Sequence, residues 1–505
     1  MPKLDWLTRP EDEKTAANVP YRLLEAVPEL SYGDEQTENM LIQGDNLEAL
    51  KALLPFYAGR VKCIYIDPPY NTETALTHYD DNLEHSIWLG ILYPRLELLR
   101  EFLCESGSIW VSIDDREGHY LKVMMDEVFG RGKFVAANVW QKRYSRENRE
   151  AIGDVHEYIY VYAKNPDQFK ETRNLVPLSE SQAKIYKKKE PFPDRRWRGI
   201  PMTAQGWRPN QMYEIVAPKG MVHTPPEGRC WSMIESEFLK LKEAGRIYFG
   251  KDNNSQPNVV RFLDEVEGFV PWTWWPHDEV GHTDESKKEI HALFGKADAF
   301  DTPKPERLIQ RVINIASNPG DLILDSFLGS GTTAAVAHKM RRRYIGIEQV
   351  ESSSALCVRR LQKVIDGENG GISEAVKWKG GGGFRFYRLG SQVFDEQGHI
   401  NPAIRFDHLA AHVWFAETHT PLAHKRKRSP LLGVHGETAC YLLYNGILGD
   451  KRPDGGNVLT RKVAAELPAH DGPKVIYGES SRLSAVALKQ LGITFKQTPY
   501  DVKAR

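Results

Sequence analysis

DLILDSFLGSGTTAAVAHKM (321–340) is the stretch that decides the fold. Leu322, Ile323 and Leu324 form a short apolar run that reads as a strand. Gly329 and Gly331 punctuate it, and the small residues that follow read as a helix. Glycines between a strand and a helix permit positive φ and let a ligand approach the backbone, while the helix start offers unpaired N–H groups. RRRYIGIE (341–348) is a further strand, and Glu348 ends it nineteen residues after Gly329. A carboxylate at that spacing suits two ribose hydroxyls, so the unit fits NAD, FAD or S-adenosylmethionine. No Gly-Lys-Ser/Thr follows the glycines, which excludes an ATP P-loop.

Working outward, the same alternation recurs. KPERLIQRVINIAS (304–317) is an amphipathic helix, and MLIQGDNLEALKALL (40–54) is a strand, a turn and a helix. VKCIYI (61–66) is a strand that Pro68 and Pro69 must end, because neither can donate to a ladder. A helix over 86–105, a strand at 108–113, a helix over 116–129 and a strand across 155–164 complete the series. Short strands alternating with helices predict an α/β fold with a largely parallel sheet. Residues 1–35 are polar and read as an arm. Residues 171–300 lack regular periodicity, carry six of the twelve tryptophans, and read as an inserted domain. Residues 391–505 read as a small appended α/β domain, with the basic HKRKRSP (424–430) at its entrance. The run Gly380–Gly383 is a linker or a packed turn.

The chain has 505 residues, 41% hydrophobic and 27% charged, enough for a substantial core in two to four domains. It contains no run of eighteen apolar residues, and MPKLDWLTRPEDEK (1–14) is not a secretion signal, so the expected location is cytoplasmic. Five scattered cysteines without a CxxC pair exclude a disulfide scaffold, and the histidines form no HExxH, so no metal is expected. Net charge is −1 overall, yet residues 131–215 carry 17 basic and 10 acidic groups. A basic zone in a neutral chain predicts a local anionic partner.

Asp67-Pro68-Pro69-Tyr70 carries the sharpest chemistry. A strand ending in Asp and two prolines presents a carboxylate and the next carbonyl in a stiff geometry. Together these can accept both hydrogens of an exocyclic amine, while Tyr70 offers a face for a planar base. An aromatic amine is a poor nucleophile until its hydrogens are held, and its partner must be an electrophilic methyl set in line with the nitrogen. As a bare turn Asp-Pro-Pro is structural more often than not. Its place at the end of a buried strand, before Tyr-Asn, argues otherwise.

IYIDPPYNT (64–72) with LDSFLGSGTT (324–333) resembles the amino-methyltransferases of DNA, and the order, catalytic motif before cofactor loop, resembles their circularly permuted β group. QGDNLEALKALLP (43–55), GSIWVSIDDRE (107–117), HEYIYVYAKN (156–165), TPKPERLI (302–309) and WKGGGGFRFYRLG (378–390) are similar to the methylation (Mod) subunits of type III restriction–modification systems. The likeness covers about residues 40–390. It implies a Rossmann-like, mostly parallel seven-stranded sheet, with 36–170 and 301–390 as the two parts of the methyltransferase domain and 171–300 as a target-recognition domain. Asp67 and the Pro68 carbonyl would hold the adenine amine, Pro69 would stiffen the turn and Tyr70 would stack on the flipped base. Asp325, Phe327, Gly329, Gly331 and Thr332 would surround the methionine part of S-adenosylmethionine, and Glu348 would bind its ribose. Lys304 and Pro305 would start a helix closing over the methionine end, with Asp45 on the cofactor side of the sheet. Lys184, Lys187, Lys188, Lys189, Arg195, Arg196, Trp197 and Arg198 would meet DNA. The expected partners are double-stranded DNA, a second copy of the chain and a helicase-nuclease (Res-type) subunit.

DPPY favours the N6 of adenine over the N4 of cytosine, which stays the alternative. A DNA-recognition and assembly subunit, with 391–505 recruiting the nuclease, is a reading of another class. A nicotinamide oxidoreductase shares the glycine loop but leaves DPPY unexplained.

Overall fold

A computed structural model describes residues 3–71, 84–145, 151–178, 183–295, 302–394, 400–401, 404–422, 428–447 and 449–498. The basic residues 424–427 lie outside these. The chain forms two compact units, Leu175–Pro271 and a larger one made of Met1–Asn174 and Trp272–Arg505.

The larger unit is organised on one eleven-stranded sheet. Its strands in chain order are β1 (Arg22–Ala26), β2 (Tyr32–Gly33), β3 (Met40–Gln43), β4 (Val61–Ile66), β5 (Leu103–Ile113), β6 (Phe134–Gln141), β7 (His156–Ala163), β8 (Trp274–Trp275), β9 (Leu322–Asp325), β10 (Arg343–Glu348) and β11 (Gly383–Gln392). The spatial order is β1-β11-β3-β10-β9-β4-β5-β7-β6-β8, with β2 also on β11. From β11 through β5 the neighbours run parallel, and β7 is antiparallel to both β5 and β6. All six residues of β4 are buried, as a central parallel strand covered on both faces requires. The expected seven-stranded core is the run β3-β10-β9-β4-β5-β7-β6, and β1, β2, β8 and β11 extend it at both edges.

Three expectations change here. Residues 1–35 are not an arm: Arg9–Asn18 is a helix, β1 pairs with β11, and Trp6 is buried. Trp6 packs on Tyr93 at 5.6 Å, with the Arg9 guanidinium 4.7 Å from the Trp6 ring, contacts that leave no apolar period in the sequence. Residues 272–295 belong to the larger unit, because β8 lies parallel to β6 with Trp274 opposite Val139 and Trp275 opposite Trp140. The segment 391–505 carries its own sheet of 431–435, 438–442, 474–478 and 493–497, but this packs into the larger unit, sharing a core cluster with Tyr21 and Phe56. The Gly380–Gly383 run is a packed turn leading into β11, with the Gly382 carbonyl accepting from Asp34 N–H at 2.9 Å.

In Leu175–Pro271 the central sheet joins 247–248, 258–262, 192–201 and 187–189. Trp197 is fully buried there, against Tyr248, Phe192 and Phe262, and its indole N–H donates to the Lys189 carbonyl at 2.8 Å. The expectation that Trp197 meets DNA is therefore corrected: alternation along the strand turns it inward while its neighbours point out. Trp197→Ala should destabilise this unit by about 3–5 kcal/mol, read as faster hydrogen exchange across 187–262. A role in DNA contact would instead lower affinity and leave exchange unchanged.

Candidate active site

β4 and β9 are adjacent and parallel, with Ile323 opposite Cys63 and Leu324 opposite Ile64. Their carboxyl ends therefore deliver Asp67 and Asp325 side by side, where open α/β sheets place their ligands. A cavity of about 330 Å³ lies there, lined by Asp67, Pro68, Pro69 and Tyr70 on one side and Asp325, Phe327, Gly329 and Thr332 on the other, with Lys304 beside them. The two motifs, more than 250 residues apart in the chain, thus face one space.

The Asp67–Tyr70 turn is held by Trp88, whose indole N–H donates to the Pro69 carbonyl at 2.7 Å. The Tyr70 hydroxyl lies 2.8 Å from Asp67 Oδ1 and 3.0 Å from Glu157 Oε2. Lys304 Nζ donates to Asp67 Oδ2 at 2.7 Å and sits 3.7 Å from Glu157 Oε2. Glu157 Oε1 is in turn 3.4 Å from Lys142 Nζ, which pairs with Asp154 at 2.8 Å. Burial pushes the Asp67 carboxyl above its ordinary value against the pull of Lys304. Burial also works against the Lys304 ammonium, but Asp67 and Glu157 outweigh it and hold its pKa above the usual lysine value.

The glycine loop is held by its own acids. Asp325 accepts from Phe327 N–H at 2.9 Å. Glu348 Oε2 accepts from Gly329 N–H at 2.7 Å and Oε1 from Val350 N–H at 2.9 Å. The Glu348 carboxylate therefore braces the loop, and Glu348 is not among the residues lining the cavity. Gly331, with φ of +78°, caps the helix Thr332–Lys339, a conformation glycine adopts without strain. Pro305 is the N-cap residue of the helix Glu306–Ala316. Asp45 also stays off the cavity: it caps Asn46–Tyr57 by accepting from Leu47 and Glu48 N–H, and it pairs with Arg95 at 3.1 Å. Its neighbour Asn46 reaches the loop instead, donating to the Ser326 carbonyl at 2.8 Å.

Burial pushes Asp325 up to about 7, and Asp67 and Glu348 add to that as like charges. Because its folded value exceeds the unfolded one, the stability it contributes is present at low pH and lost as pH rises through about 7. Asp325→Asn should therefore be more stable than the parent at pH 8, by about 2–4 kcal/mol. The gap should close toward pH 4 in paired urea titrations.

Glu157, Lys142 and Trp140 carry no functional pattern legible in the sequence, although Glu157 lies within HEYIYVYAKN (156–165). The one available signal was a Glu opening a strand whose later residues are apolar. Trp140, buried, lines the cavity and donates to the Gly281 carbonyl at 2.9 Å.

Of the expected DNA contacts, Lys184, Lys187, Lys188 and Lys189 are exposed. Arg195 pairs with Asp264 at 2.7 Å and lies 3.6 Å from the Phe262 ring centroid. Arg196 donates to the Tyr186 and Ala183 carbonyls, and Arg198 stacks over Tyr186 at 5.1 Å. The arginines thus brace their own sheet, whose edge strand is Lys187–Lys189, and Lys189 itself lies 4.6 Å from the Trp197 ring centroid.

Residues 61–356 match the model of the family described as DNA methylase. The chain is 37% identical over 334 residues to the type III restriction-modification enzyme StyLTI Mod subunit of Salmonella typhimurium, covering 60% of this chain and 50% of that protein. It is 34% identical over 418 residues to the probable HindVI Mod subunit of Haemophilus influenzae, covering 72% and 56%. Against the EcoPI Mod subunit of Escherichia phage P1 the identity is 32% over 406 residues, covering 66% and 60%. The chain therefore spans about half to three fifths of the length of these relatives. With its family model matched from the DPPY strand to beyond the glycine loop, the chain belongs to the DNA methylase family.

Proposed function

We propose that this chain transfers a methyl group from S-adenosylmethionine to the N6 amino group of an adenine rotated out of duplex DNA, as the modification subunit of a type III-like restriction–modification system. The observation that carries this reading is the single cavity lined by both Asp67 and the Gly329 loop. The names of the Mod relatives support it.

The residues present fit the cofactor. When bound, it supplies an electrophilic methyl on a sulfonium. Asp325 is buried among like charges, a setting that favours a cation, and Phe327, Gly329 and Thr332 border the same space. Asp67 and the Pro68 carbonyl hold the two hydrogens of the amine, orienting the nitrogen lone pair and excluding other approaches. Tyr70 offsets part of the few kcal/mol that unstacking the base requires. Lys184 and Lys187–Lys189 contact phosphates, which positions the protein without reading sequence. A second copy of the chain and a helicase-nuclease subunit complete the assembly in this reading.

The test is transfer from labelled S-adenosylmethionine to unmethylated genomic DNA, followed by digestion and separation of nucleosides. Label in N6-methyladenine is expected. Label in N4-methylcytosine would overturn the base, and no label in any base would reject the reading in favour of a recognition and assembly subunit.

A further inference from the structure

We infer that the Lys304 ammonium occupies the seat of the incoming amino group on Asp67 and crosses to Glu157 when that group arrives, so that Glu157 is a positioning residue of the site. The inference rests on the methyl-transfer reading above. Lys304 Nζ donates to Asp67 Oδ2 at 2.7 Å and lies 5.0 Å from the Tyr70 ring centroid and 5.9 Å from that of Trp140. An amine on a base stacked against Tyr70 needs the same acceptor and the same volume. Lysine and amine cannot hold that place together.

The displaced ammonium has a destination. Glu157 Oε2 is already 3.7 Å from Nζ, and a shift of about 1 Å makes a charge-assisted hydrogen bond. Lys142, 3.4 Å from Glu157 Oε1, anchors the far side of that carboxylate. Lysine suits the exchange because its ammonium is a compact charge with three rotatable donors on a flexible stem. Both partners are only 11% exposed, so an ammonium pushed off Asp67 without a second carboxylate would stand unpaired in a poorly solvated site. Two acids around one lysine thereby acquire a purpose: one meets substrate, and the other receives the lysine.

A double-mutant cycle tests this, with labelled S-adenosylmethionine and unmethylated genomic DNA fragments as probes. Glu157→Gln should raise the apparent KM for DNA by about tenfold, since the lysine no longer has a place to go. Lys304→Met should lower that KM by removing the occupant. In the double variant the effect of Glu157→Gln should vanish, because no ammonium remains to be received. A Glu157→Gln effect of equal size in both backgrounds would show that Glu157 acts independently of Lys304 and overturn the exchange. If Glu157→Gln does not fold, Glu157→Asp, which withdraws the carboxylate by one methylene, takes its place in the same cycle. Absence of transfer by the unmodified protein would reject the methyl-transfer reading and the exchange with it, whereas transfer with independent effects rejects the exchange alone.

Discussion

Asp67→Ala should lower the rate of methyl transfer by about 10³-fold, the scale on which a single preorganised polar group at a reacting centre acts. The loss belongs in kcat. The variant keeps Pro68, Pro69 and the Trp88 bond to the Pro69 carbonyl, so the turn and its stacking face persist. It keeps the glycine loop, whose bracing by Asp325 and Glu348 does not involve Asp67. Cofactor affinity by calorimetry and DNA affinity by filter binding should therefore stay within about threefold of the parent, a difference under 1 kcal/mol. Full activity in Asp67→Ala would remove the assignment of Asp67 as the acceptor of the amine.

Glu306→Ala should cost about 3–5 kcal/mol of stability, the usual consequence of removing one partner from a buried ion cluster. Glu306 is 2% exposed and opens the helix that follows Lys304 and Pro305. Its carboxylate meets Lys339 Nζ at 2.7 Å and Arg360 at 3.0 Å, and accepts from Ile372 N–H at 3.0 Å. Lys339 also pairs with Glu368, but Arg360, fully buried, has Glu306 as its carboxylate. Burial raises the Glu306 carboxyl, and Arg360 and Lys339 more than reverse it, so the folded value lies below the ordinary one. That stability is present above the unfolded carboxyl range and is lost as pH falls through the folded value. The variant's deficit should accordingly be full at pH 7 in urea titrations and shrink in acid. A deficit below 1 kcal/mol at pH 7 would show that the cluster repacks.

Local chemistry was legible in the sequence. Pro68 and Pro69 end β4 where they must, and Gly329 and Gly331 turn the chain between β9 and its helix with positive φ. What was not legible depends on partners distant in the chain. Lys304 reads as the start of a helix, and only the fold brings its ammonium to Asp67, 237 residues away. Glu157 looks like a polar strand end until β7 is set beside β5. Trp197 sits among arginines and invites a nucleic-acid reading, yet the pairing of its strand with 258–262 turns the ring inward. Residues 272–275 look like the tail of an irregular insertion because a two-residue strand has no period to detect.

Val176 and Phe269 donate to each other's carbonyls at 2.9 Å, so the segment between them begins and ends at one point in space. A segment whose ends meet can be excised or exchanged without stretching its host, as successful domain insertions show. Recombination at these two positions would replace nearly the whole Leu175–Pro271 unit in a single event and leave the sequence of the eleven-stranded sheet intact. Heredity can thus rewrite what lies between Val176 and Phe269 while every residue around Asp67 is copied unchanged.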